Sequence, residues 1–143
     1  MKPESNVGGL LGKSSRLLSN QFNTALKTYD LTVEQWSLLA VLWDKDVQKQ
    51  KELQSVLIKD KATINSLVSY LVKNGFVSKK QDLKDKRSFR ISLTQKGKEM
   101  QKLTLPVAKE NIAIAIQGVD PQELKIMMKV LTQIIDNLTK EKS

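Results

Sequence analysis

Chemistry that needs an imidazole or a thiolate is closed to this chain, because its 143 residues include no histidine and no cysteine. Disulfides, thiol redox sensing and sulfur-ligated zinc are excluded, and the commonest general base and transition-metal ligand are missing. Only carboxylate and hydroxyl chemistry remains, so no enzyme activity, cofactor or metal site is expected. The informative side chains are of another kind. Lys61, Ala62, Thr63, Asn65, Ser66 and Ser69 form a group that is short, polar and almost uncharged, where a helix face chosen only for solubility would favour Glu, Lys, Gln and Arg. Short hydroxyls and an asparagine amide can approach base edges and phosphates closely, and asparagine can pair bidentately with adenine. Lys84, Lys86, Arg87, Ser88 and Arg90 follow as a second, basic group. The net charge of +9 is concentrated around both: residues 45–99 carry 14 basic and 6 acidic side chains, against 4 and 4 in residues 1–44 and 6 and 5 in residues 100–143. A field confined to the middle third points to a localised polyanion site. Its bland alternative is a solvated lysine-rich surface.

The elements that must position these groups are legible from periodicity. Val7, Leu10, Leu11, Leu17, Leu18, Phe22, Ala25, Leu26 and Tyr29 recur at helical spacing, which predicts an amphipathic helix ending near Asp30. Thr32 and Gln35 form a capping box that opens a short, largely buried helix carrying Trp36, Leu39, Ala40 and Trp43. Gln50 to Leu57 is a brief helical stretch, and Asp60 caps a helix from Lys61 to Asn74 that Gly75 closes. On that helix Ile64, Leu67, Val68 and Leu71 face inward, leaving the short polar set outside. The period then changes to alternation: Phe76 to Gln81 and Ser88 to Leu93 read as strands, the second with Phe89, Ile91 and Leu93 inward. The tip, Asp82 to Arg87, lacks the Gly or Asn of a two-residue turn, so a longer, mobile loop is expected. Thr94 caps a helix to about Gln117, bent at Pro106 and stopped by Gly118, and Asp120-Pro121-Gln122-Glu123 opens a last amphipathic helix through Leu138.

Helix, turn, helix and hairpin make a winged helix-turn-helix in outline, whose second short helix enters a DNA major groove. Four segments carry a closer likeness: Leu31-Thr32-Val33-Glu34-Gln35-Trp36-Ser37-Leu38-Leu39, Asp60-Lys61-Ala62-Thr63-Ile64-Asn65, Leu71-Val72-Lys73-Asn74-Gly75-Phe76-Val77, and Asp82-Leu83-Lys84-Asp85-Lys86-Arg87-Ser88 with Leu93-Thr94-Gln95-Lys96-Gly97. Together they resemble the MarR family of bacterial repressors. The resemblance runs from about residue 7 onward and implies one domain over 1–143, with a DNA-binding lobe at 31–97 and dimerisation helices at 5–30 and 98–143. It implies a mainly α fold with a small β-hairpin wing, and a homodimer that reads a pseudo-palindromic operator in double-stranded DNA. It further implies that Arg87 enters the minor groove, oriented by Asp85. The chain departs from the family's usual pattern at Ser66 and Lys86, where arginines are common, at Ile58 and Lys59 in the turn, and at Lys49, where a Ser or Thr cap is usual.

The first and last helices carry more large aliphatic side chains than one small lobe can cover, which agrees independently with a dimer. Members of the family commonly answer to small aromatic or anionic ligands, and Phe22, Tyr29, Trp36 and Trp43 could line such a cleft. Spaced aromatics on amphipathic helices are more often core. Repression relieved by a ligand is the expected mode, and a winged-helix module that keeps the fold but binds protein is the alternative. No apolar run approaches a membrane span and no signal core opens the chain, so the cytoplasm is expected and a membrane partner is not.

Overall fold

The computed structural model describes Lys2 and residues 5–140, which divide into two compact units, Met1–Asn111 and Ile112–Ser143. Positions 141–143 of the expected C-terminal dimerisation segment, and 1, 3 and 4 of the single expected domain, lie outside the described residues. In the first unit, α1 (Val7–Leu26) starts at Asn6, whose side-chain oxygen accepts from the Gly9 amide at 2.7 Å. A single 3₁₀ turn, Lys27–Tyr29, tightens its end, and Asp30 stops it in the left-handed region at φ 58°. The capping box then opens α2 (Val33–Asp44): Thr32 Oγ1 accepts from the Gln35 amide at 3.2 Å, and Gln35 Oε1 accepts from the Thr32 amide at 2.9 Å.

After α2 comes a two-residue strand, β1 (Gln48–Lys49), too short to leave any alternation in the sequence and therefore not anticipated there. It leads directly into α3 (Gln50–Leu57) and then α4 (Lys61–Lys73). Asp60 caps α4 through a 2.7 Å bond from the Thr63 amide, and hydrogen bonding from the Thr63 side chain first and this amide second holds its carboxyl below the ordinary carboxylate range. At the other end Gly75, at φ 79°, forms a Schellman turn, with Phe76 N–H donating to Leu71 O and Gly75 N–H to Val72 O. That turn aims the chain into β2 (Val77–Gln81), which pairs antiparallel with β3 (Phe89–Leu93); β3 is central in the order β1-β3-β2.

Burial decays along the hairpin, and this corrects one expectation. Val77 and Ile91 are buried and Leu93 half-buried, but Phe89 is 37% exposed. Phe89 shares the alternation of Ile91 and Leu93, yet it pairs with Gln81 at the outer end of the ladder, where the sheet has run past the core. Its ring instead lies under Lys79 Nζ, 4.5 Å from the centroid. At the inner end, α5 (Gln95–Ala115) starts against the hairpin's base. Thr94 Oγ1 donates to Gly75 O at 2.5 Å and accepts from the Gly97 amide at 3.1 Å. Gly97 lies so close to the Phe76 carbonyl that a Cβ there would stand 2.1 Å from its oxygen. The core of this unit joins Leu26, Leu38, Leu39, Leu42, Leu53, Ile64, Leu71, Phe76 and Ile91.

The second unit contains the last residues of α5, a stop at Gly118 (φ 81°), and α6 (Pro121–Thr139), capped by Asp120 and begun by a proline at its first position. Ile126, Met127, Met128, Val130, Ile135 and Leu138 are all exposed on α6. In the first unit Val7, Leu10, Leu11 and Leu17 are exposed on α1. No helix among the described residues is long and apolar enough to cross a membrane.

Candidate nucleic-acid interface

The two groups singled out by residue type meet on one side of the first unit. An open cleft of about 670 Å³ runs between α4 and the hairpin, and Lys61, Asn65 and Ser69 face Arg87 and Ser88 across it. Ala62 and Ser66 are exposed on α4 and Thr63 is half-buried at its start, while Lys84, Lys86 and Arg90 are exposed on the hairpin; none of these six lines the cleft. Local sequence explains the arrangement. Four inward side chains fix the rotation of α4 about its axis, and the Schellman turn fixes the angle at which the hairpin leaves it.

Residues that sequence reasoning did not single out complete the cleft: Gln50, Lys51 and Gln54 from α3, with Lys79 and Phe89 from the sheet. The missed signal was β1. Once Gln48 and Lys49 pair with Ile91 and Arg90, the start of α3 is held beside the hairpin and its first side chains must face α4. Gln50 is 9% exposed, and its Nε2 donates to Asn65 Oδ1. Its own Oε1 is buried without a hydrogen-bond partner. Asn65 is therefore half-buried and tied to a neighbour, where the sequence suggested a free side chain.

The loop between β2 and β3 spans 82–88, longer than a tight turn, and it is internally bonded. Ser88 N–H donates to Asp85 O at 2.9 Å, and Asp82 N–H donates to Ser88 O at 2.8 Å. Asp85 bonds within its own loop: its carboxylate accepts from the Arg87 amide at 3.0 Å and from the Ser88 hydroxyl, Oγ, at 3.1 Å. Its ion pair with the Arg87 guanidinium is longer, 3.7 Å, and Arg87 is 95% exposed. An exposed pair of that length contributes little. The strong ion pair of the hairpin is Arg90 Nε to Asp82 Oδ1 at 2.7 Å, with Lys49 Nζ 3.8 Å from the other oxygen. Asp82 is 1% exposed, and the bond from Arg90 holds its carboxyl below the ordinary carboxylate range. Asp82 thus ties β1, β3 and the loop together while leaving half of Arg90 free.

The aromatic side chains are elsewhere. Phe22, Trp36 and Trp43 pack edge to face, with centroids 5.0 and 5.6 Å apart, and both indole N–H groups are engaged: Trp36 Nε1 donates to Thr104 Oγ1 and Trp43 Nε1 to Gly97 O. Tyr29 is half-buried beside the core.

A family model described as transcriptional regulator SarA/Rot matches residues 20–103. The organic hydroperoxide resistance transcriptional regulator of Bacillus subtilis (strain 168) is 26% identical over 136 residues, which cover 94% of this chain and 92% of that protein. Among solved structures, a MarR protein from Peptoclostridium difficile DA00132 matches with a TM-score of 0.89 at 28% identity, over 94% of this chain and 88% of that one. A MarR transcriptional regulator from Methanosarcina mazei Go1 matches at 0.85 and 26% identity, over 91% and 94%.

Proposed function

Because the chain belongs to the SarA/Rot family of transcriptional regulators and has the fold of MarR regulators, we propose that it acts as a homodimer on a pseudo-palindromic operator in double-stranded DNA. Each protomer sets the exposed face of α4 in a major groove and the 82–88 loop in the adjoining minor groove, and occupancy of the operator represses transcription. Residues 31–97 serve as the DNA-binding lobe, and residues 5–30 and 98–140 supply the dimer contacts. The single observation that carries this reading is the cleft itself: a helix face of short polar side chains opposite an exposed arginine, within the segment that holds nearly all the net charge. Exposed aliphatic side chains on α1 and on α6 support the dimer.

The relative in Bacillus subtilis is named for organic hydroperoxide resistance. A chain without cysteine has no thiolate to oxidise, so peroxide sensing by that chemistry is no part of the proposal.

The test is binding to DNA from the protein's own promoter between about 50 and 200 mM salt, against an unrelated duplex of equal length. A regulator of this kind loses affinity steeply with salt and prefers its promoter at every salt. A shallow slope with no preference makes the fold a protein-interaction module instead.

A further inference from the structure

We propose that the outer face of the wing sheet is a second phosphate site, at which Lys49, Lys80 and Arg90 hold the DNA strand on the far side of the minor groove. The inference rests on the DNA-binding reading above and deepens it.

Register assigns the two faces. Arg90 stands directly opposite Lys49 on β1 and Lys80 on β2, and residues directly opposite in antiparallel strands project from the same side of a sheet. Ile91 and its partners Gln48 and Lys79 project from the other side, as does Phe89 two residues earlier. Lys79 and Phe89 line the cleft, whereas Lys49, Lys80 and Arg90 do not. The three cations therefore form a row across the sheet, on the face turned away from the cleft. Lys80 and Arg90 are exposed, and the Lys49 side chain is 43% exposed.

The row is not balanced within the protein. Like charges directly opposite one another destabilise a sheet, and the row holds two such pairs. Asp82 answers with one carboxylate, 2.7 Å from Arg90 Nε and 3.8 Å from Lys49 Nζ, and no carboxylate of the described residues comes within 4.0 Å of Lys80. A surplus of positive charge remains, which an anion lying across the face relieves. Groove geometry supplies that anion. With α4 in a major groove and the 82–88 loop in the adjoining minor groove, the strand that divides the two grooves passes through the cleft. A minor groove, about 6 Å wide, has one strand along each edge. The inner side of the wing therefore meets the dividing strand, through Lys79 and Arg87, and the outer face meets its complement, the far strand.

The test uses promoter duplexes in which a neutral methylphosphonate linkage replaces, one at a time, the phosphates bordering each minor groove on either strand. Wild type, Lys80→Ala and Lys79→Ala are compared by affinity, salt slope and melting curve. Lys80 has no ion pair whose loss would strand a carboxylate, so Lys80→Ala should melt with the wild type or above it. It should lower the salt slope by about one unit, and affinity by about fivefold at 0.15 M salt. At one far-strand linkage per half-site, methylphosphonate should weaken the wild type by a similar factor and leave Lys80→Ala unaffected, while linkages on the dividing strand weaken both. Lys79→Ala should show the converse, losing its sensitivity on the dividing strand alone. An unchanged salt slope in Lys80→Ala overturns the proposal. So does a Lys80→Ala protein whose lost sensitivity falls on the dividing strand. A wild type that does not bind the promoter is a different failure, that of the DNA-binding reading itself, and removes the proposal with it.

Discussion

The two ends of one hairpin do different physical work. At its base Val77, Ile91 and Leu93 join the core, Gly97 presses against the Phe76 carbonyl, and the first turn of α5 is locked on. At its tip Lys84, Lys86 and Arg87 stand in solvent and Phe89 rests under a lysine. The length of two five-residue strands separates a region whose substitutions should cost stability from one whose substitutions should cost affinity. The basic tip can vary without endangering the fold because the core ends before the tip begins.

The sharpest way to break this comparison is to truncate two residues of the same alternating set. Ile91→Ala opens a cavity in a fully buried site and should cost about 2 to 5 kcal/mol of unfolding free energy. Phe89→Ala, two residues away, should cost about 0.5 kcal/mol or less. Urea unfolding of both variants checks this, and equal losses would mean that the core extends to the tip.

The next effect is on affinity. Arg87→Ala should weaken operator binding by about tenfold, and more over A·T-rich minor grooves, whose enhanced negative potential favours a weakly hydrated guanidinium. Lys84→Ala and Lys86→Ala should each lower the salt slope by about one unit or less. Asp85→Ala should also weaken binding, by releasing the Arg87 amide and the Ser88 hydroxyl that its carboxylate holds in the loop. Tighter binding by Asp85→Ala would show simple charge repulsion instead. All four variants should melt with the wild type, which fluorescence anisotropy and thermal scans together establish.

A smaller effect tests the turn before α4. Ile58 is at φ 54°, a conformation that costs a β-branched residue roughly 1 to 2 kcal/mol, and it is 70% exposed, so little packing compensates. Ile58→Gly should raise stability by up to about 1 kcal/mol, less whatever glycine adds to the entropy of the unfolded chain.

The last effect is one of pH and concerns Asp82. Its carboxyl titrates below the ordinary aspartate range in the folded protein because Arg90 donates to it. The stability it contributes is therefore fully present above about pH 4 and is lost as the pH falls through the lowered folded value. Asp82→Asn should flatten that acid limb of a pH–stability curve, and an unaltered limb would assign it to other carboxylates.

Periodicity and capping made most of the fold legible. The Thr32 box, the Asp60 cap, the Gly75 exit and the Asp120-Pro121 start are local chemistry, settled within four residues of sequence, and each stands where its residue types require. Phe89 departs from the alternation because that pattern records which face a residue is on, and cannot record where along the strand the core stops. The candidate site was legible as composition, in the short polar face of α4 and the basic wing. Its partners were not, because they arise from pairings between distant residues.

What the sequence alone determined is therefore the helix ends, the wing, the location of the charge and the exclusion of thiolate and imidazole chemistry, all properties of single residues or of neighbours a turn apart. What only tertiary structure decided is that Gln50 meets Asn65, that Arg90 and Lys49 converge on Asp82, and that Asp85 is spent on its own loop. The first two depend on β1, two residues with no signal of their own, which form a strand only because β3 is there to pair with them.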